Sequence, residues 1–240
     1  MNIAIILSGG IGSRMGLEIP KQYVEIGGQP ILNYCLRTFF NNINIDVLVI
    51  VVEDIWLDFV KKNVKIFNSS KPVFYAKSGE TRQYSIFNAL KVIQNDGFNE
   101  SDIVVIHDAA RPLVTNSLIN SCLLGCERAD GIIPVIPVKD TTYLSDDGKH
   151  IKSLLTRSLL WNGQSPEAFR FGKYLKIHES MKYEEIIKIT GSTEIAYKAG
   201  LNCEMIEGDP MNFKITTSED LLNFKSVILK KGVASVDAEF

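Results

Sequence analysis

The chain has 240 residues, of which 45% are hydrophobic, and this is enough to bury the core of one α/β domain of ordinary size. Its 26 basic and 28 acidic residues leave a net charge of −2, which excludes a general electrostatic attraction to nucleic acid or to a membrane surface. A small anionic ligand, held by a few locally placed charges, suits this composition better than a polymer.

A glycine-rich loop follows the first apolar run, residues 3–7. The loop leads through Ser8, Gly9, Gly10, Gly12 and Arg14 to Lys21. Because glycine has no Cβ, backbone N–H groups in such a loop can approach an anion closely, and the two cations would neutralise further charge. The loop matches neither a Walker A motif nor the spacing of a dinucleotide fingerprint. We interpret it as a polyphosphate site; the simpler alternative is a tight strand-to-helix turn with two surface cations.

Short apolar runs alternate with amphipathic segments along the chain. Strands are predicted at residues 3–7, 47–52, 73–76, 103–106, 132–138 and 203–206. Helices are predicted over an apolar stripe at residues 86–93 that ends at Gly97, from a cap near Thr115, and from Thr216 onward. The alternation predicts an α/β fold with a mainly parallel, doubly wound sheet, in one domain over residues 1–230. Residues 231–240 are predicted to form a weakly ordered tail.

A carboxylate ends one of these predicted strands. Asp108 comes directly after His107 at the end of the apolar run 103–106, and in an open α/β sheet this is the edge where ligands bind. Mg²⁺ prefers oxygen ligands and commonly takes one or two protein carboxylates together with substrate phosphates, which makes Asp108 a candidate metal ligand. In the alternative, Asp108 forms a salt bridge with Arg111 that fixes the loop, and the two roles are compatible.

The cysteines and the apolar runs indicate the cellular compartment. Cys35, Cys122, Cys126 and Cys203 form no C-x-x-C pair, and Cys122 and Cys126 lie on a predicted apolar helix, which favours core packing over metal binding. The first apolar run lacks the basic region and the cleavage site of a signal peptide. No later run approaches the roughly 18 apolar residues of a membrane span. We therefore expect a reduced, cytoplasmic enzyme.

The segment at about residues 138–155 interrupts the α/β alternation. It is typical of two short strands around the turn Asp147-Gly148. A hairpin that projects from an α/β body leaves its apolar side in water unless another chain covers it, so we predict a dimerisation arm. In the alternative, the hairpin folds onto its own domain.

Six motifs occur in order over residues 8–221. They are G-G-x-G-S-R-M-G, P-K-Q, S-G-E-T-R-x-x-S, H-D-A-A-R-P, G-Q-S-P-E-A-F and N-F-K-I-T-x-x-E-D-L. Together they resemble the family of 2-C-methyl-D-erythritol 4-phosphate cytidylyltransferases and the related ribitol-5-phosphate cytidylyltransferases. The resemblance implies a Rossmann-like fold, a transfer of CMP from CTP to a small polyol phosphate with Mg²⁺, and a homodimer formed through the β-arm.

The resemblance also implies residue roles. Its catalytic cations are Arg14, Lys21 and Lys214, and its metal ligand is Asp108. Its nucleotide-binding residues are Ser8, Gly9, Gly10, Gly12, Arg14, Lys21, Gly79, Glu80, Ser85 and Ala109. Among these, the resemblance assigns the segment 78–85, which contains the base loop, to the cytosine base. Its polyol-phosphate residues are Asp108, Lys139, Thr141, Arg157, Thr193 and Lys214, of which Lys139, Thr141 and Arg157 belong to the arm region and could enter a neighbouring subunit's site. In the simpler alternatives, Ser85 is an ordinary first-turn helix residue, Lys214 extends its ammonium to solvent, and Arg82 is structural.

The acceptor is less closely defined than the reaction. Ser192-Thr193-Glu194 and Leu7-Ser8-Gly9 depart from the usual erythritol-phosphate pattern, and Trp161-Asn162-Gly163 is similar to the ribitol branch. The run Asp108-Ala109-Ala110-Arg111, in contrast, is similar to the erythritol branch. We predict 2-C-methyl-D-erythritol 4-phosphate, for isoprenoid precursor synthesis, with D-ribitol 5-phosphate for a cell-surface polymer as the alternative. Two other classes are a nucleotide-binding scaffold without turnover and a sugar-1-phosphate nucleotidyltransferase that uses UTP or dTTP.

Overall fold

The computed structural model describes residues 1–10 and 19–236, with only the backbone of residues 231–236. Its strands are β1 Asn2–Leu7, β2 Glu25–Ile26, β3 Gln29–Pro30, β4 Val47–Val52, β5 Val73–Lys77, β6 Ile103–Asp108, β7 Gly131–Pro137, β8 Tyr143–Leu144, β9 Ser153–Leu154, β10 Trp161–Gly163, β11 Glu167–Arg170 and β12 Cys203–Glu207. Its α-helices are α1 Ile31–Asn41, α2 Leu57–Lys65, α3 Arg82–Asn95, α4 Asn116–Gly125, α5 Phe171–Ser180, α6 Tyr183–Ile186, α7 Ser192–Lys198 and α8 Ser218–Val236. Single turns of 3₁₀ helix lie at Lys21–Tyr23, Asp54–Trp56 and Arg157–Leu159.

One eight-stranded sheet organises the molecule. Its order is β10-β7-β11-β6-β1-β4-β5, and β12 pairs with β7. The strands β6, β1, β4 and β5 are parallel, as is the pair β12 and β7, whereas β11 and β10 run antiparallel to their neighbours. The predicted mainly parallel sheet is therefore confirmed, and all six predicted strands form within a few residues of the expected bounds.

Both faces of the sheet are buried. Ala4 and Ile6 of β1 pack on the face covered by α1, α2 and α4, while Ile3 and Ile5 pack on the face covered by α3, α5 and α7. A strand buried on both faces has no polar side, and this is why β1 and β4 appear in the sequence as continuous apolar runs. The doubly wound arrangement is confirmed. Among the described residues, no helix is both long and apolar enough to cross a membrane.

The parallel strands place three chain segments at one edge. Leu7, the last residue of β1, lies beside Val51 of β4 on one side and beside Asp108 of β6 on the other. Because the carboxyl ends of parallel strands meet at the same edge, the loops that follow β1, β4 and β6 surround one crevice. The fold thus creates the position for a binding site.

The predicted hairpin at residues 138–155 is present as β8 and β9. Tyr143 pairs with Leu154, and Gly148 in the connecting turn has a φ of 70°, which glycine adopts without strain. Tyr143 is 54% exposed and Leu154 is 64% exposed, so the hairpin does not fold its apolar side onto its own domain. Its role in dimerisation stays a prediction.

The last helix continues into the segment that the sequence predicts as a weakly ordered tail. The backbone of α8 remains helical through Val236, six residues beyond position 230, where the sequence predicts the start of a weakly ordered tail. A helix that has formed gains one hydrogen bond for each residue added, so it extends more easily than it begins. Residues 237–240 lie outside the described residues.

Candidate active site

A cavity of about 380 Å³ lies at the carboxyl edge of β1, β4 and β6. It contains eight of the residues that the sequence assigns to the site: Gly9, Gly10, Lys21, Gly79, Glu80, Ser85, Asp108 and Lys214. Its other lining residues are Leu7, Gln22, Val51, Glu53, Thr81, Arg82 and Ala110. Gly12 and Arg14 lie outside the described residues.

The start of the glycine loop is held by the P-K-Q triplet. Gln22 Nε2 donates to the carbonyl oxygens of Ser8 at 2.6 Å and Gly10 at 2.8 Å, so this glutamine fixes the first residues of the glycine loop. A Cβ on Gly9 would lie 2.4 Å from Ser78 Cβ, which means that the two loops approach too closely for any other residue at position 9. The Ser8 hydroxyl donates to the Val51 carbonyl at 2.9 Å, which orients this side chain toward β4.

Asp108 lies between two cations. Arg82 Nε is 2.9 Å from its Oδ1 and Lys214 Nζ is 2.8 Å from its Oδ2. Burial alone would raise the pKa of the Asp108 carboxyl, but Arg82 and Lys214 outweigh burial and hold that pKa well below its ordinary value. The alternative pairing with Arg111 is wrong, because Arg111 Nη1 instead donates to the Asn212 carbonyl at 2.7 Å.

Arg82, for which the sequence offers a structural role, contacts side chains on three other elements. Besides Asp108, its guanidinium donates to Ser192 Oγ, and its Nη2 is 3.9 Å from Glu167 Oε2. Burial would lower the pKa of Arg82, but the carboxylates of Asp108 and Glu167 raise it above its ordinary value. The S-G-E-T-R-x-x-S motif contains this arginine, but its partners lie on other elements and no local pattern identifies them.

Lys214 is placed by the loop between β12 and α8. Ile215 donates its N–H to the Ala110 carbonyl at 2.8 Å, and its fully buried side chain packs against Ile31 and Phe224. These contacts anchor the residue next to Lys214, so the ammonium is directed at Asp108 in the cavity. The alternative in which Lys214 extends to solvent is wrong.

Ser85 holds the loop that the family resemblance assigns to the base. Its Oγ accepts a hydrogen bond from the Gly79 N–H at 2.9 Å. A Cβ on Gly79 would lie 2.7 Å from Tyr84 Cδ1, so the loop passes close to the first turn of α3. Ser85 is therefore not an ordinary first-turn residue, since its hydroxyl sets the loop position.

Six of the predicted contacts do not line this cavity, and one of them is Ser8, whose hydroxyl is turned toward β4. The side chain of Ala109 packs in the core, and Ala110 lines the cavity instead. Arg157 Nη1 donates to the Lys139 carbonyl at 3.0 Å beside the hairpin, and Thr141 is exposed in the same region. Thr193 Oγ1 is buried and has no hydrogen-bond partner in the described part of the chain.

A second, larger groove of about 890 Å³ lies near the hairpin. Lys139 and Trp161 line it together with the ends of β7 and β12. Of the predicted polyol-phosphate residues, Lys139 lines this groove. Thr141 and Arg157 belong to the same hairpin region of the chain.

The cavity offers oxygen donors for a hard cation. Asp108 supplies one carboxylate, and Mg²⁺ commonly binds through one or two carboxylates plus phosphate oxygens. The described residues contain no group of three or more His, Cys, Asp or Glu side chains that could hold a metal ion by themselves. The donor set therefore fits a metal that arrives with a polyphosphate.

The chain matches a known family over almost its whole length. The family model of 2-C-methyl-D-erythritol 4-phosphate cytidylyltransferase (IspD) matches residues 2–231. The chain belongs to the IspD family. Family membership makes it a cytidylyltransferase, and this confirms the resemblance that the six motifs carry.

Individual relatives of the IspD family differ in their acceptor. The 2-C-methyl-D-erythritol 4-phosphate cytidylyltransferase of Clostridium beijerinckii is 36% identical over 219 residues, which cover 91% of this chain and 94% of the relative. The ribitol-5-phosphate cytidylyltransferase of Vibrio parahaemolyticus is 33% identical over 229 residues, which cover 95% of this chain and 96% of the relative. The crystal structure of the Francisella tularensis IspD has a TM-score of 0.77 at 29% identity and covers 93% of this chain and 99% of that one.

Proposed function

We propose that this cytidylyltransferase transfers CMP from CTP to 2-C-methyl-D-erythritol 4-phosphate and releases pyrophosphate. The observation that carries the proposal is the convergence of Lys21, Asp108 and Lys214, from three distant segments, in one cavity with the glycine loop and the base loop. The family model and the Clostridium beijerinckii relative support this acceptor. The Vibrio parahaemolyticus relative supports the alternative acceptor, D-ribitol 5-phosphate.

The reaction needs charge neutralisation more than it needs a base. A phosphate monoester has a second pKa near ~6 and is mostly a dianion at neutral pH, so the nucleophile is already ionised. The protein must bring two anions together, and we assign this task to Lys21 and Lys214 in the cavity and to Arg14 in the glycine loop. Asp108 would hold Mg²⁺, which supplies further positive charge at the phosphates when it is bound.

Arg82 keeps the Asp108 carboxylate oriented, while Lys214 is shared between that carboxylate and a substrate phosphate. In the described structure Lys214 donates to Asp108 Oδ2, and Arg82 holds the other oxygen. When a triphosphate binds, Lys214 can turn from the carboxylate to the phosphate because Arg82 still fixes Asp108. The ion pair therefore holds both groups in place before substrate arrives.

The arm region supplies the remaining polyol-phosphate contacts in this proposal. Lys139, Thr141 and Arg157 lie outside the cavity, and the apolar side of the hairpin is exposed. A second copy that received the hairpin would cover its apolar side chains and could bring these residues into the neighbouring cavity. We assign the chain to a homodimer on these grounds. We also place it in the cytoplasm, where its free and mostly buried cysteines would stay reduced.

Pyrophosphate release by the purified protein tests the function. With Mg²⁺, we expect turnover with CTP and 2-C-methyl-D-erythritol 4-phosphate and little with UTP or dTTP. Faster turnover with D-ribitol 5-phosphate would replace the acceptor but keep the reaction. A preference for UTP or dTTP with sugar 1-phosphates would indicate the sugar nucleotidyltransferase class. No pyrophosphate release with any tested pair of substrates would indicate a nucleotide-binding scaffold.

A further inference from the structure

A tyrosine far along the chain contacts the base loop. The hydroxyl of Tyr183, at the start of α6, donates a hydrogen bond to Glu80 Oε2. Glu80 lines the cavity next to Gly79. The two residues are 103 positions apart, so the contact belongs to the tertiary structure rather than to the loop itself.

Packing of its ring and burial of its helix restrict the movement of Tyr183 beside Glu80. Ile186 on the same short helix is 1% exposed, and Ile189 just beyond it is also buried, so this segment is anchored in the core. The Tyr183 ring packs edge-on against the Tyr84 ring, with centroids 5.1 Å apart. Tyr183 is 39% exposed, but its ring is packed on one side and its helix is attached to the core, and this favours a defined position beside Glu80.

The hydrogen bond from Tyr183 occupies one carboxylate oxygen of Glu80 and leaves the other available as an acceptor. With Oε2 engaged by the phenol, Oε1 can still accept a further hydrogen bond, and Glu80 is one of the residues that line the cavity. Cytosine presents an exocyclic amino donor where uracil presents a carbonyl acceptor, and a carboxylate oxygen attracts the first and repels the second. An oriented carboxylate can therefore discriminate between the two bases better than a mobile one.

We propose that Tyr183 is a positioning residue that fixes Glu80 for recognition of the exocyclic amino group of the base and so contributes to the selection of CTP over UTP. The inference rests on the proposed function, because it assigns the base to the Glu80 loop. Tyr183 itself need not touch the nucleotide.

Tyr183→Phe tests the inference, because it removes one oxygen and keeps the ring packed on Tyr84. We expect the KM for CTP to rise about threefold to tenfold, the range that the net contribution of a single solvent-exposed hydrogen bond supports. We expect kcat at saturating CTP to stay within about twofold and the ratio of kcat/KM for CTP over UTP to fall. Tyr197→Phe is the matched control, since Tyr197 is an exposed tyrosine on α7.

A double-mutant cycle separates positioning from a structural role. If Tyr183 acts through Glu80, Tyr183→Phe has no further effect on KM or on base selectivity in a Glu80→Ala background, which lacks the acceptor for the tyrosine hydroxyl. Additive effects in the double variant, or an unchanged KM and selectivity in Tyr183→Phe, would overturn the inference alone. A wild-type protein that does not prefer CTP would overturn the proposed function and, with it, this inference.

Discussion

Asp108 illustrates how one buried carboxylate is kept ionised. Its side chain would lose hydration energy in the interior, but each of its two oxygens faces a cation at hydrogen-bond distance. Lys214 is in turn available to a substrate phosphate, whereas Arg82 is also bound to Ser192. The same pair of residues therefore serves charge balance in the free protein and, in our proposal, phosphate binding during the reaction.

Arg82→Ala should destabilise the fold markedly. The change removes the ion pair to Asp108 and the hydrogen bond to Ser192 together, and we expect a loss of about 3 kcal/mol in the free energy of unfolding. Arg128→Ala is the control, because Arg128 pairs with Glu204 at 2.7 Å on the surface, and its loss should stay below about 1 kcal/mol. Urea unfolding measures both. Equal losses in the two variants would contradict the structural role of Arg82.

At the scale of elements, α3 and α5 are joined by a buried polar contact. His178 on α5 donates from Nδ1 to the Tyr174 carbonyl, at 2.7 Å, and accepts at Nε2 from Gln83 on α3, at 2.6 Å. In this arrangement the imidazole must be neutral, because Nε2 has no proton. Burial lowers the pKa of His178 to about 4. The helix pair therefore depends on an uncharged histidine.

This contact makes stability depend on pH. The His178 imidazole takes up a proton near pH 6.5 in the unfolded chain but only near pH 4 in the folded chain. Its contribution to the free energy of unfolding is therefore complete above pH 6.5 and falls as the pH drops toward 4. We expect His178 to account for about 2 kcal/mol of the loss between pH 7.5 and pH 5. His178→Gln should remove that part of the pH dependence in urea unfolding. A pH dependence that is unchanged in His178→Gln would refute the assignment.

At the scale of the whole molecule, the sequence predicts those elements and site residues that a local pattern of residue types determines. Strands such as β1 and β4 are buried on both faces and form continuous apolar runs, so their positions are evident. The strands β10 and β11 have only 3 and 4 residues, and this is too short a run to show a usable hydrophobic periodicity. Asp108 is predictable because it ends a strand, whereas the contact of Arg82 with Ser192 joins residues 110 positions apart and becomes visible only in the fold.

The arm residues provide the decisive test of the assembly. Lys214→Ala should lower turnover roughly 10²- to 10³-fold, as the loss of one preorganised donor does, and Arg157→Ala should lower it through the polyol phosphate. If Arg157 acts in the partner's cavity, a mixed dimer of the two variants has one cavity with both residues intact. Equal mixing with subunit exchange should then restore activity in about a quarter of the sites. If each chain used its own Arg157, every cavity in the mixture would lack one of the two side chains, and mixing would restore nothing.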